Sequence, residues 1–182
     1  MDQNRISRHL DRIRLLAIFA MLGSIMFISD ILMEFMPNVH MVGVLTVVYT
    51  IVYRWKALIP IYVYVLLNGL FSGFGIWWLG YLYVWFILWG LTMLVPRRLP
   101  KQFRGVIYIA ICTLHGLLFG VLYAPVQMIY NSDLNYIISW VTIGFVTADI
   151  YHGIGNCIFG ILLILPLSEL LLKLELKTRL IK

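Results

Sequence analysis

Apolar residues in this chain come in long runs, at roughly 12–35, 58–74, 77–95, 105–130 and 149–174, with shorter runs at about 40–53 and 134–147. Pro37, Pro96, Pro100 and the Asn131-Ser132-Asp133 turn punctuate them. A bilayer core of about 30 Å is crossed by about 20 apolar residues in a helix. Lipid offers no hydrogen bonds, so a crossing backbone must satisfy its own, as a helix does. The alternation expected of barrel strands is absent. The pattern predicts an all-α integral membrane protein, built as a single membrane domain over residues 1–182.

Composition sharpens this expectation. Hydrophobic residues make up 62% of the 182 positions and charged residues only 12%. The mean hydropathy is +0.93. A soluble chain carries roughly twice that charged fraction, and a soluble domain this small cannot bury so much apolar surface. Intrinsic disorder is excluded on the same grounds. The basic N-terminus followed by an apolar run has the look of a signal peptide. The run is long and lacks a clear small-residue cleavage site, so a retained span is expected. Cys112 and Cys157 lie inside apolar runs, where small buried hydrophobes are the ordinary finding.

The net charge of +6 suggests nucleic acid only until the charges are located. The basic residues form short clusters: Arg5, Arg8, Arg12 and Arg14; Arg54 and Lys56; Arg97, Arg98, Lys101 and Arg104; Lys173, Lys177, Arg179 and Lys182. If 40–53 crosses, all of them fall on one side, while Asp30, Glu34, Asp133 and Asp149 fall on or near the other. The positive-inside rule makes the basic side cytoplasmic. Six transmembrane helices follow, at about 12–35, 40–53, 58–74, 77–95, 105–130 and 149–174, with both termini cytoplasmic. The stretch 134–147 becomes an outer half-helix or lid before the last span. No nucleic-acid partner is expected.

Candidate chemistry gathers in the outer halves of these spans. Asp149, His152 and Asn156 are spaced i, i+3, i+7, which places them on one helical face. Polar groups in a membrane are costly and face a cavity or a partner. The alternative is an interhelical hydrogen-bond network, with Asp149 favourable near a helix N-terminus. Trp78, Tyr81, Trp85 and Trp89 form an aromatic stripe beside Trp77. Packing explains such a stripe as readily as ligand contact, and Trp77 and Trp78 also suit an interfacial belt. Tyr64, Asn68 and Phe71 share a face of the third span, and Tyr123 and Gln127 lie towards the outer end of the fifth. Pro125 is expected to distort that end, and His115 to be a satisfied buried histidine. Ala17, Ala20 and Ser24 make a smooth strip on the first span, suited either to internal packing or to docking another membrane protein.

Catalytic signatures are weak. The chain has no H-E-x-x-H, G-x-S-x-G or P-loop motif. Asp149 and His152 could exchange protons, but only Ser139 offers a distant nucleophile. No cofactor is implied, and no metal, since further ligands beside Asp149 and His152 cannot be placed.

Taken together, Lys56-Ala57-Leu58-Ile59-Pro60-Ile61-Tyr62-Val63-Tyr64, Trp77-Trp78-Leu79-Gly80-Tyr81-Leu82-Tyr83-Val84-Trp85 and Asp149-Ile150-Tyr151-His152-Gly153-Ile154-Gly155-Asn156 resemble a bacterial substrate-binding S-component of an energy-coupling factor (ECF) vitamin transporter. The resemblance implies a non-enzymatic subunit in the bacterial plasma membrane. Such a subunit binds a vitamin or related micronutrient at the outer face. It then joins a transmembrane coupling protein and two cytoplasmic ATPase subunits for ATP-driven uptake. The polar start of the last span contributes to the family's pocket, here Asp149, His152 and Asn156. The family docks through an A-x-x-x-A motif on its first span. Here Ala17 and Ala20 are three apart, and the four-residue spacing runs from Ala20 to Ser24.

The expected outer half lacks Lys and Arg. Asp149 with Trp and Tyr faces therefore suits a cationic or neutral aromatic heterocycle, each good ring contributing roughly 0.5–2 kcal/mol. Asn68, Trp78, Tyr81, Trp85, Tyr123 and Gln127 complete the expected pocket. A stand-alone membrane sensor and an intramembrane enzyme using Asp149 and His152 remain the alternatives.

Overall fold

In the computed structural model, residues 3–36 and 38–178 are described, and they are helical with short connections. Side chains are described for residues 9–36 and 38–175. Arg5, Arg8, Pro37, Lys177, Arg179 and Lys182, which entered the topology above, lie outside those side chains.

The helices are α1 (Gln3–Leu32), α2 (Val42–Tyr53), α3 (Leu58–Ser72), α4 (Ile76–Leu94), α5 (Lys101–Leu117), α6 (Phe119–Tyr130), α7 (Leu134–Gly144) and α8 (Ile150–Thr178). Among the described residues, five helical runs are long and apolar enough to cross a membrane: His9–Leu32, Val42–Ser72, Ile76–Leu94, Lys101–Tyr130 and Leu134–Glu175. This is the make-up of a multi-pass membrane protein.

The second run is not one straight rod. A 3-10 turn at Arg54–Ala57 separates α2 from α3, and Arg54 sits at φ 54°, outside the helical region. Contacts with α1 show that the chain turns back there. Along α2, Tyr53 packs on Phe19 and the Tyr49 hydroxyl donates to the Leu22 carbonyl. Along α3 the order is inverted: Pro60 and Val63 face Gly23, and Asn68 reaches Asp30. So α2 runs against α1, and α3 runs with it.

Helix α2 is only 12 residues, about 18 Å. It sits at the centre, against α1, α4, α5 and α8, and every residue except Ile51 is buried. Protein rather than lipid surrounds it, so its length need not match a hydrocarbon slab.

Helices α5 and α8 pair antiparallel. Lys101 meets Glu169, Gly105 faces Leu165, the Asn156 amide donates to the Cys112 carbonyl at 3.0 Å, and Gly116 faces Gly153. Small residues at these crossings let the backbones approach.

Helix α6 continues through Pro125 to Tyr130, and the break in this run falls at Leu118, with φ −102° and ψ 9°. One expectation is corrected: the last span does not open at Thr147–Asp149. Leu134–Glu175 is one helical run of 42 residues, about 63 Å long, widened by a π turn at Phe145–Asp149. Asp149 is therefore mid-helix rather than at the N-terminus of its own helix. The sequence-level break came from residue polarity at 147–149. The backbone there keeps helical dihedrals, with φ −59° at Gly144 and φ −60° at Ile150. Helix α7 contributes no buried residue.

Candidate functional site

At the end of the bundle opposite Lys101 and Glu169 lies a cavity of about 810 Å³. Its walls come from the last turns of α1, the connection into α2, and facing sides of α3, α4, α6, α7 and α8. Among the described residues, three carboxylates line it, Asp30, Glu34 and Asp149, and no Lys or Arg does.

Asp30 is held from one side. Its Oδ2 accepts the Tyr64 hydroxyl at 2.8 Å and the Asn68 amide at 3.1 Å. Both donors are neutral, so they orient the carboxylate without cancelling its charge. Asp149 stands on the π turn, 4% exposed, and its Oδ2 accepts the Gly120 backbone N–H at 3.0 Å. A Cβ built on Gly120 would come within 2.6 Å of that oxygen, so only glycine permits this approach. π turns inside long helices are frequent at functional sites. This one adds a residue to the turn that carries Thr147, Ala148 and Asp149 onto the cavity wall.

Aromatic rings join the two carboxylate walls. Tyr81 makes an edge contact with Trp77 at 5.4 Å and with Tyr123 at 6.5 Å, and Tyr123 stacks on Phe119 at 5.7 Å. The Tyr123 hydroxyl donates to the Trp77 backbone carbonyl, tying the Tyr123 ring on α6 to α4.

Two histidines close the lower side. The His40 ring, from the connection before α2, lies 4.5 Å from that of His152, and Phe119 covers His152 at 4.9 Å. Burial pushes the His40 pKa below the ordinary imidazole value, against the pull of the Asp30 carboxylate. His152 is 3% exposed, and its Nε2 has no partner. A buried donor or acceptor left so is expensive, and a bound ligand would relieve it. Beneath them Trp85, 1% exposed, touches His40, His115, Tyr64 and Tyr81.

The sequence-expected residues divide between the cavity and its supports. Asn68, Tyr81, Tyr123, Asp149 and His152 line the cavity, as does Ser139. Trp85 forms the layer below. Asn156 is fully buried lower down, where its amide binds the Cys112 carbonyl between Gly43 and Gly116. The Trp78 indole donates to the Val65 carbonyl at 2.8 Å, tying α4 to α3. Gln127 accepts the Tyr136 hydroxyl, tying α6 to α7. His115 bonds the Val84 carbonyl at 3.1 Å. Ala17 and Ala20 are exposed, and the Ser24 hydroxyl donates to the Ala20 carbonyl. That strip points away from α3, which α1 meets through Gly23 instead.

Asp30, Glu34, His40 and Trp77 also line the cavity, and sequence reasoning did not place them among the site residues. For Asp30 the signal was present: a carboxylate inside an apolar run, without a neighbouring cation, marks a functional position. Among the described residues, no group of three His, Cys, Asp or Glu side chains could hold a metal ion. Compared with known proteins, the chain matches no family model, no curated protein and no solved structure.

Proposed function

We propose that this chain is the substrate-binding membrane subunit of an ECF-type importer, capturing a cationic aromatic micronutrient at the outer face. The observation that carries the proposal is the 810 Å³ cavity, with carboxylates on two walls, rings between them and, among the described residues, no Lys or Arg. A cavity of that volume suits a vitamin-sized molecule. Aromatic faces attract a cation, most strongly when both are desolvated, and the carboxylates supply the counter-charge.

In this proposal the chain crosses the bilayer six times, α2 and α3 counting as separate crossings. The basic end faces the cytoplasm, in line with the positive-inside rule. Helix α7, whose Tyr136 and Trp140 side chains border the cavity, serves as the lid. The exposed Ala17–Ser24 strip docks on the coupling protein, and two cytoplasmic ATPases supply the energy. The chain itself performs no catalysis.

The test is calorimetry on the purified protein in nanodiscs, with thiamine, riboflavin and folate as cationic, neutral and polyanionic probes. Thiamine is expected to bind best, and Asp30→Asn and Asp149→Asn each to weaken it by about tenfold or more, the scale of a hydrogen bond to a charged group. Preference for folate, or indifference to both substitutions, overturns the cation assignment. Gentle purification followed by native mass spectrometry tests the assembly. Retained ATPases support an importer, whereas a tight ligand on an isolated chain favours a sensor.

A further inference from the structure

The opposite end of the bundle holds a second cavity, a crevice of about 640 Å³. Five cationic side chains border it: Arg54, Lys56, Arg97, Lys101 and Arg104. Two carboxylates, Glu169 and Glu175, oppose them. Lys101 is paired with Glu169. The cationic excess stays on the crevice wall.

These charges are not merely scattered over a surface. Arg54 is fixed by its strained turn, and its guanidinium donates to the Met93 carbonyl at 3.0 Å, a neutral partner that leaves the charge uncancelled. The Arg104 Nε is buried without a hydrogen-bond partner. Ser168 is 3% exposed, and its Oγ is also without one. Ser24, Thr50 and Thr92 settle their hydroxyls on the carbonyl four residues back. Ser168 does not, and it borders the crevice. A guanidinium N–H and a hydroxyl, both buried and unpaired on one wall, suit an acceptor with several oxygens.

The remaining wall is apolar. Ile51, Val52, Leu165 and Leu172 border the same space, and Trp55 is 69% exposed at its rim. A site with a cationic pocket beside apolar side chains fits an amphiphile better than a bare ion. Basic pockets between transmembrane helices are where anionic headgroups are held.

We propose that this crevice binds phosphate, supplied by the headgroup of an anionic phospholipid, with Arg104 and Ser168 as the buried contacts. The proposal does not depend on what the acidic cavity takes.

Native mass spectrometry of the full chain, released from nanodiscs of phosphatidylcholine doped with phosphatidylglycerol or cardiolipin, is the test. The wild type is expected to retain the anionic lipid and not phosphatidylcholine. Arg104→Gln should reduce retention by tenfold or more, Arg104→Lys less, and Ser168→Ala about threefold. Arg14→Gln removes a charge beyond the crevice (its side chain is 67% exposed) and should leave retention unchanged. Far-UV circular dichroism and melting of each variant exclude loss of fold as the cause. A separate arm titrates inorganic phosphate. If millimolar phosphate displaces the lipid and itself depends on Arg104, the phosphate site stands but its occupant is the free ion. Equal retention of phosphatidylcholine, or an equal loss in Arg14→Gln, means diffuse surface charge and overturns the proposal.

Discussion

The two ends of this bundle present cavities of comparable size, about 810 and 640 Å³, with opposite chemistry. At the acidic end, half-buried Asp30 and buried Asp149 are oriented by neutral donors: a phenol and an amide for Asp30, a backbone N–H for Asp149. The rings around them pack on one another, some edge to face and some stacked. At the basic end, the charges lie nearer the surface. One is spent on the Lys101–Glu169 pair, whose side chains are 56% and 44% exposed. Charge held in apolar surroundings by a few bonds is sensitive to any change in those bonds. Charge near solvent is screened and tolerates change.

The largest effect should follow from Trp85→Ala. Trp85 is buried beneath the acidic cavity, in contact with His40, Tyr64, Tyr81, His115 and Phe119. Removing a buried indole costs about 3–5 kcal/mol where neighbours cannot collapse into the space. Lys101→Met, which opens the exposed pair at the basic end, should leave the unfolding midpoint where it is. Denaturant titration in mixed micelles measures both. Equal shifts would mean that the two ends are equally coupled to the fold.

A narrower break separates ligand recognition from stability. Gly120→Ala places a methyl group 2.6 Å from Asp149 Oδ2 and must displace it. Gly90, on α4, has nothing within 4 Å of an added Cβ. Thiamine affinity should fall about tenfold in Gly120→Ala, the loss of about 1.4 kcal/mol expected of a displaced charge-assisted bond. In Gly90→Ala it should not change. If both variants bind as the wild type does, Asp149 makes no contact with the ligand.

The contrast between the ends also explains what the sequence revealed. The basic end was legible because charge clusters interrupt apolar runs, and Arg54 and Lys56 correctly separate α2 from α3. The Asn131–Asp133 turn was legible from local chemistry, and Asp133 caps α7 through the Asn135 N–H. The break at Leu118 was not, since no proline or polar cluster marks it. The continuous backbone at Phe145–Asp149 was hidden for the opposite reason, polar residues there suggesting a helix start. At the site, Asp149 and His152 share one helix and could be paired by spacing. Asp30 could not, because Tyr64 and Asn68 lie 34 and 38 residues away. His40 meets His152 only because α2 packs on α8. Helical periodicity reports neighbours on one helix, whereas this cavity is assembled across six.

The smallest of these effects tests that long-range assembly. Tyr64→Phe removes one of the two donors to Asp30 and keeps the ring that stacks on Tyr81 at 6.2 Å. Asn68 still holds the same carboxylate oxygen, so Asp30 is loosened rather than released. Interhelical hydrogen bonds in membranes average about 0.6 kcal/mol, which corresponds to about a threefold loss of thiamine affinity by calorimetry. The sign is informative. If Tyr64 only neutralised Asp30, its removal would free negative charge and tighten cation binding. If it positions Asp30, as two donors on one oxygen imply, binding weakens. A gain in affinity would therefore leave Asp30 as the counter-charge but remove Tyr64 from the positioning role.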